Sequence, residues 1–272
     1  MVALAQDISF SPRRVSAMVL RYWLLLKNSW PRLIELMYWP TIQMVLWGFI
    51  SQFLYTNSSY VAQAFGVLLS AVILWDVMFR GQLGFSLSFM EEMWSRNMGH
   101  LFVSPLRPLE LVISWMIMSL VRALIGIVPA VLLCIPLYHY NLFNLGLPLI
   151  GLFFNLIVMG WIIGLLVSGA ILRLGMGAES LAWMSIFILA PVSAVYYPVA
   201  ALPGWLQPIA WALPSAHAFE GMRSIIVHHS FEPKFLLYAA SLNAIYMVAA
   251  MGFFLYMVKL AREGGVLLQT GE

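Results

Sequence analysis

The side chains able to do chemistry in this 272-residue chain are few, and the densest group lies in MEEMWSRNMGHLFVSPLRPLE, residues 90–110. Glu91 and Glu92 are adjacent, and Arg96 follows one helical turn later. Paired carboxylates beside a cation could activate a water for hydrolysis; the same three residues could equally form a solvated face. Asp76 and Arg80 stand four apart in an apolar run, the spacing of a helical ion pair. Arg122 stands alone in another such run, where it either contacts an anion along a substrate path or is paired within a helix bundle. His228-His229 lacks a neighbouring Cys or carboxylate triad, so no metal is expected. A phosphate-cradling P-loop needs a Gly-rich turn followed by Lys and Ser or Thr. None of Lys27, Lys234 and Lys259 follows such a turn, so no nucleotide hydrolysis by that route and no catalytic residue are expected.

Glu91-Glu92-x-x-x-Arg96 also resembles the first motif of intramembrane CAAX-processing proteases. Those enzymes need a Phe four residues before a His and a His four residues before an Asn or Asp. His100, His139, His217, His228 and His229 all fail both spacings. A rhomboid-type serine site would require Gly-x-Ser-Gly, whereas Ser168-Gly169 follows Leu166-Val167. Residues 90–110 therefore read as a socket for a partner, with the protease as the enzymatic alternative.

The elements that position these residues are membrane helices. The chain is 62% hydrophobic and 9% charged, with a mean hydropathy of +0.91. Soluble domains carry roughly 25% charged residues, so the fold class is an all-α polytopic membrane protein. The single cysteine, Cys134, excludes an intramolecular disulfide framework. Six segments are expected to span: Leu33–Tyr55 with a kink at Pro40, Val61–Phe85, Leu109–Leu137, a fourth ending near Leu172, Ser180–Tyr197 and Phe235–Val258. The domains expected are a surface helix within 1–32 and a six-helix transmembrane domain over 33–272.

Between the second and third spans, a short amphipathic helix should stop at Ser104-Pro105 and restart near Pro108. Arg13, Arg14, Arg21, Lys27 and Arg32 alternate with apolar residues, which suits an amphipathic helix on the membrane surface or a basic pre-anchor. That pattern is not the apolar core of a signal peptide. With both termini on one side, eleven of the 14 Lys and Arg fall on that side, two (Arg223, Lys234) on the other, and Arg122 within the membrane. The positive-inside bias makes the first side cytoplasmic. Residues 198–233 are too apolar for a solvated loop and too broken by proline to span. A re-entrant helix pair in the outer leaflet fits, with His217, Glu220 and Arg223 gathered on one face.

Glu91-Glu92, Arg96, Gly99, Leu101 and Ser104-Pro105, followed by Leu202-Pro203, Leu213-Pro214 and Arg223, resemble the pattern of the membrane subunit of type-2 ATP-binding-cassette (ABC) exporters. The resemblance covers essentially the whole chain. It implies a permease working as a dimer with two copies of a separate ABC ATPase, which would hold the ATP and magnesium; this chain needs no cofactor and no nucleic acid. Residues 90–108 would be the coupling helix, with Glu91, Glu92 and Arg96 in rim contacts and Met93, Trp94 and Leu101 buried against the ATPase. Apart from the resemblance, Asp76, Arg80 and Arg122 are candidates for a substrate path by their charge alone; the resemblance makes the segment with Leu202, Pro203, Pro214, His217, Glu220 and Arg223 an outer gate. Substrates of the family are drugs, polysaccharides, lipid-linked oligosaccharides and other amphiphiles, and the location implied is the bacterial inner membrane. A non-transporting membrane scaffold or assembly subunit would share the topology.

Overall fold

A computed structural model of the chain describes residues 10–57 and 65–263. Among these there is no strand. The helices in order are α1 (Pro12–Lys27), α2 (Trp30–Asn57), α3 (Phe65–Trp94), α4 (Met98–Val103), α5 (Pro108–Tyr138), α6 (Pro148–Leu174), α7 (Leu181–Leu189), α8 (Gln207–Trp211), α9 (Pro214–His228) and α10 (Pro233–Glu263). Proline opens α1, α5, α6, α9 and α10, where its missing N–H has no intrahelical acceptor to satisfy. Five of these helices, α2, α3, α5, α6 and α10, are long and apolar enough to cross a membrane. The chain is a multi-pass membrane protein. The expected turn at 58–59 and the start of the second span at Val61 lie outside the described residues, as do residues 1–9 and the last nine.

The fifth expected span, Ser180–Tyr197, does not form a continuous helix. Only α7 forms, nine residues long, or about 14 Å at 1.5 Å per residue against a hydrocarbon core of about 30 Å. Pro191 is the reason: it has no N–H for the ladder and its ring crowds the preceding turn. The chain then runs through irregular turns, with Ala194 at φ 51°, into a short 3₁₀ turn at Val199–Ala201. The second expected span also ends later than Phe85, because α3 runs on through Glu91 and Glu92 to Trp94.

α3 is the central helix. Its spanning window is 78% buried, against 17% for α2 and 22% for α10. Glycines permit this. A Cβ on Gly160 of α6 would lie 2.5 Å from the Met78 carbonyl oxygen, and one on Gly84 would lie 3.1 Å from Ser119 Cα of α5. Ser119 then donates from Oγ to the Gly81 carbonyl (3.0 Å) and accepts from Trp161 Nε1 (2.8 Å), which ties α3, α5 and α6 at one level. Pro40 leaves the Leu36 carbonyl of α2 without its usual donor. That oxygen lies 2.6 Å from where a Gly126 Cβ would be, so the bare glycine lets α5 approach it. Across α6 and α10, Asn243 Nδ2 donates to both the Asn155 carbonyl (2.9 Å) and Asn155 Oδ1 (3.1 Å).

Candidate partner-docking face and its ion-pair frame

The last turn of α3 presents Glu91 and Glu92 to three other helices. Arg21 of α1 donates from Nη1 to Glu92 Oε1 (2.6 Å), and Asn97 Nδ2 donates to Glu92 Oε2 (2.6 Å). Arg122 of α5 donates from Nη2 to Glu91 Oε2 (2.9 Å), and Arg32 of α2 reaches Glu91 Oε1 at 3.4 Å. A third pair lies alongside: Arg14 of α1 binds Glu110 of α5 through Nε (2.9 Å) and Nη2 (2.6 Å), and Glu110 also accepts from the Ser11 and Arg107 N–H groups. Glu92 and Glu110 are buried, which is tolerable only because each carboxylate is both ion-paired and hydrogen-bonded. Beneath them, Trp115 Nε1 donates to the Tyr22 hydroxyl (2.9 Å). Burial, reinforced by the Glu92 carboxylate, holds that hydroxyl above its ordinary pKa of 10.0, so it stays protonated.

This frame changes the roles expected from sequence. Glu91 and Glu92 are turned into the chain's own ion pairs rather than outward to a rim. Leu101 is buried in the chain's own core and Met93 packs against it, so neither is free to bury against a partner. Among the described residues of 90–105, Trp94, Ser95, Arg96, His100, Val103, Ser104 and Pro105 remain exposed, with Val103 89% exposed at the end of α4. Gly99 is half-buried on α4. Arg96 sits at φ 54°, which turns the chain sharply between α3 and α4. The expected stop at Ser104-Pro105 is present: Ser104 Oγ donates to the Leu101 carbonyl (2.6 Å) and α5 restarts at Pro108. Trp94 Nε1 also reaches Glu179 (3.3 Å), which joins the 176–179 turn to this face.

The frame does not favour the hydrolytic alternative. Both carboxylates are neutralised by arginines, and no histidine stands among their partners. Nothing in the local sequence around residue 91 signals Arg14, Arg21, Tyr22, Arg32 or Glu110 as members. The one available sign for Arg14, Arg21 and Arg32 was their place among the basic residues before Leu33.

Asp76 and Arg80 pair as their spacing predicts, with Nε to Oδ2 at 2.6 Å. They and Arg122 are not brought into one group, since Arg122 turns toward Glu91. In the outer segment, Arg223 Nη2 donates to the Ala194 carbonyl (2.7 Å) and Nη1 to that of Val195 (3.2 Å). Glu220 Oε1 accepts from the Val199 N–H (2.6 Å). Together they hold the irregular turns after α7 against α9. His217 shares a hydrogen bond with the Trp211 carbonyl (2.8 Å) instead of joining that pair. Leu202 is buried in a small separate cluster with Ala194, Val199, Ala210 and Ala216, while Pro214 opens α9 and Pro203 accepts from the Leu206 N–H (2.8 Å).

No curated protein matches the chain. The family described as ABC-2 type transporter matches residues 14–227, from the Arg14 ion pair through nearly all of α9. That match takes in the ion-pair frame, α4 and the outer segment, and it covers well over half of the chain. The protein therefore belongs to the ABC-2 type transporter family, as the membrane-spanning permease component of such a transporter.

Proposed function

We propose that the chain is the permease subunit of an ATP-driven exporter, acting as a dimer with two copies of a separate ATPase. The observation that carries this is the α3–α4–α5 hairpin. It exposes Trp94, His100 and Val103 on the side rich in Lys and Arg, and it is braced behind by ion pairs to α1, α2 and α5. Exposed apolar side chains on a braced hairpin suit a protein partner, and membership of the family implies an ABC ATPase. A push on α4 is then delivered through Glu91 and Glu92 to α3, the most buried helix, and the two halves of the dimer rotate to alternate access.

On the positive-inside orientation, α1 and α4 face the cytoplasm and residues 198–233 form the outer, re-entrant gate of a bacterial inner-membrane protein. α7 would complete the sixth, broken crossing. The charges expected on the path, Asp76, Arg80 and Arg122, are each neutralised within the chain. This favours a substrate that is mostly apolar or lipid-linked over a small ion.

The test is purification of the tagged protein from its native membrane and mass spectrometry of what accompanies it. A P-loop ATPase should co-purify and should be lost in V103D and W94D, while E91D retains it. An ATPase that binds all variants equally removes α4 from this role, and no ATPase at all removes the transporter assignment of the partner.

A further inference from the structure

α1 has two apolar faces, and only one is used. Val15, Tyr22 and Leu26 are buried against the bundle. On the opposite side Leu20, Trp23 and Leu24 are exposed, and an open groove lined by Ala17, Leu20, Arg21, Leu24, Leu25 and Asn28 runs along one edge of that side. At 100° per residue, Arg13 and Lys27 fall on this same outer face, at its two ends, about 21 Å apart at 1.5 Å per residue. Arg14 and Arg21 are instead held by Glu110 and Glu92, although Arg21 still borders the groove. Arg13 and Lys27 have no ion-pair partner among the described residues, and no Asp or Glu occurs between Ile8 and Ile34.

We propose that this outer face of α1 is a docking surface for acidic phospholipid. Its apolar centre enters the acyl boundary, and Arg13 and Lys27 contact the phosphate-bearing headgroups. Two further observations select a lipid surface over a protein. The exposed stripe continues across the two-residue link Asn28-Ser29 onto Trp30, Ile34 and Tyr38 of α2, a spanning helix whose window is only 17% buried. Trp23 and Trp30 stand at that junction, where an indole takes the boundary between headgroup and hydrocarbon. A helix with a basic rim and an apolar face containing Trp and Leu lies in the plane of the interface, and its binding is strengthened by anionic lipid. In the orientation proposed above the acidic lipid is that of the inner leaflet.

The test uses the full chain in C134S, labelled with an environment-sensitive fluorophore at S16C, a substitution on the exposed face. The protein is reconstituted into phosphatidylcholine vesicles with increasing brominated phosphatidylglycerol or brominated phosphatidylcholine. Quenching should favour the acidic lipid, on the order of fivefold per cation. The preference should fall in R13Q, vanish in R13Q/K27Q and return in R13K/K27R. Equal quenching by the two lipids in the parent protein would overturn recognition of charge. No quenching by either, or protection only when an ATPase is added, would overturn the lipid surface and assign the face to a protein. Both leaflets of such vesicles contain the acidic lipid, so an inverted orientation or a missing ATPase leaves the readout unchanged and shows only in the pull-down.

Discussion

Glu91→Gln isolates the energetics of the frame. Glu91 bonds Arg122 at 2.9 Å and Arg32 at 3.4 Å; the Arg122 side chain is 7% exposed and that of Arg32 is 55% exposed. Removing one partner of a buried ion pair costs about 3–5 kcal/mol, because the other charge is stranded. Glu91 is itself 23% exposed, so water reaches the site and the expected loss falls to about 2–3 kcal/mol, comparable to placing an unpaired arginine within a membrane helix. Arg32→Gln breaks an exposed pair and should cost less than about 1 kcal/mol. The double variant E91Q/R122M removes both charges and keeps a straight side chain, so it should return to within about 1 kcal/mol of the parent, leaving a coupling of about 2 kcal/mol. Reversible unfolding in mixed micelles by denaturing detergent measures these proteins together with R122M alone, which closes the cycle. Additive losses in the double variant, or a larger loss in R32Q than in E91Q, would refute Arg122 as the charge that Glu91 neutralises.

Arg223→Leu should loosen the turns after α7 by about 2–4 kcal/mol, since two buried carbonyls lose a charged donor; limited proteolysis should cut faster within 190–203, and an unchanged rate would count against the anchor. Gly160→Val should destabilise by at least about 1–3 kcal/mol, because its Cβ would meet the Met78 carbonyl of α3, whereas Gly252→Val, with nothing within 4 Å, should change melting by less than about 0.5 kcal/mol; equal effects would refute the close contact. For Tyr22, burial and then Glu92 raise the hydroxyl's pKa above its unfolded value. Its contribution is therefore complete below a pH of about 10 and is lost as pH rises through the folded pKa. Tyr22→Phe should flatten the alkaline loss of stability, and an unaltered slope would refute the assignment.

The spanning helices were legible because a bilayer imposes a length and a composition that any apolar run reports. The Asp76–Arg80 pair was legible for a related reason, since both partners lie on one helix and their spacing sets the geometry. The frame around Glu91 and Glu92 was not, because its arginines lie between 31 and 71 residues away and come from α1, α2 and α5. Locally those carboxylates look like the end of a helix at water, which is why α3 was expected to stop before them. Which side chains of 90–105 face outward is likewise set by tertiary packing: Leu101 and Val103 are two apolar residues on one short helix, one buried and one exposed. The break at Pro191 was not legible, because the apolar run on both sides of it has the length and composition of a span; the turns after Leu189 show where the helix ends.

The burial of α3 bears on how the protein is made. This helix carries Ser70, Asp76, Arg80, Gln82, Ser86 and Ser88 as buried polar residues, and its mean hydropathy is 1.4, against 2.4 for α5 and α6. Those groups are sheltered by surfaces that leave the ribosome later, α5 beginning at Pro108 and α6 at Pro148. A nascent α3 released alone into lipid would expose its hydroxyls and amide to hydrocarbon. The more stable course is for α3 to wait beside the insertion machinery until α5 and α6 arrive and then partition with them as a unit. Sheltering of these groups is in that sense cooperative, since it depends on the glycines that bring α3 against α5 and α6.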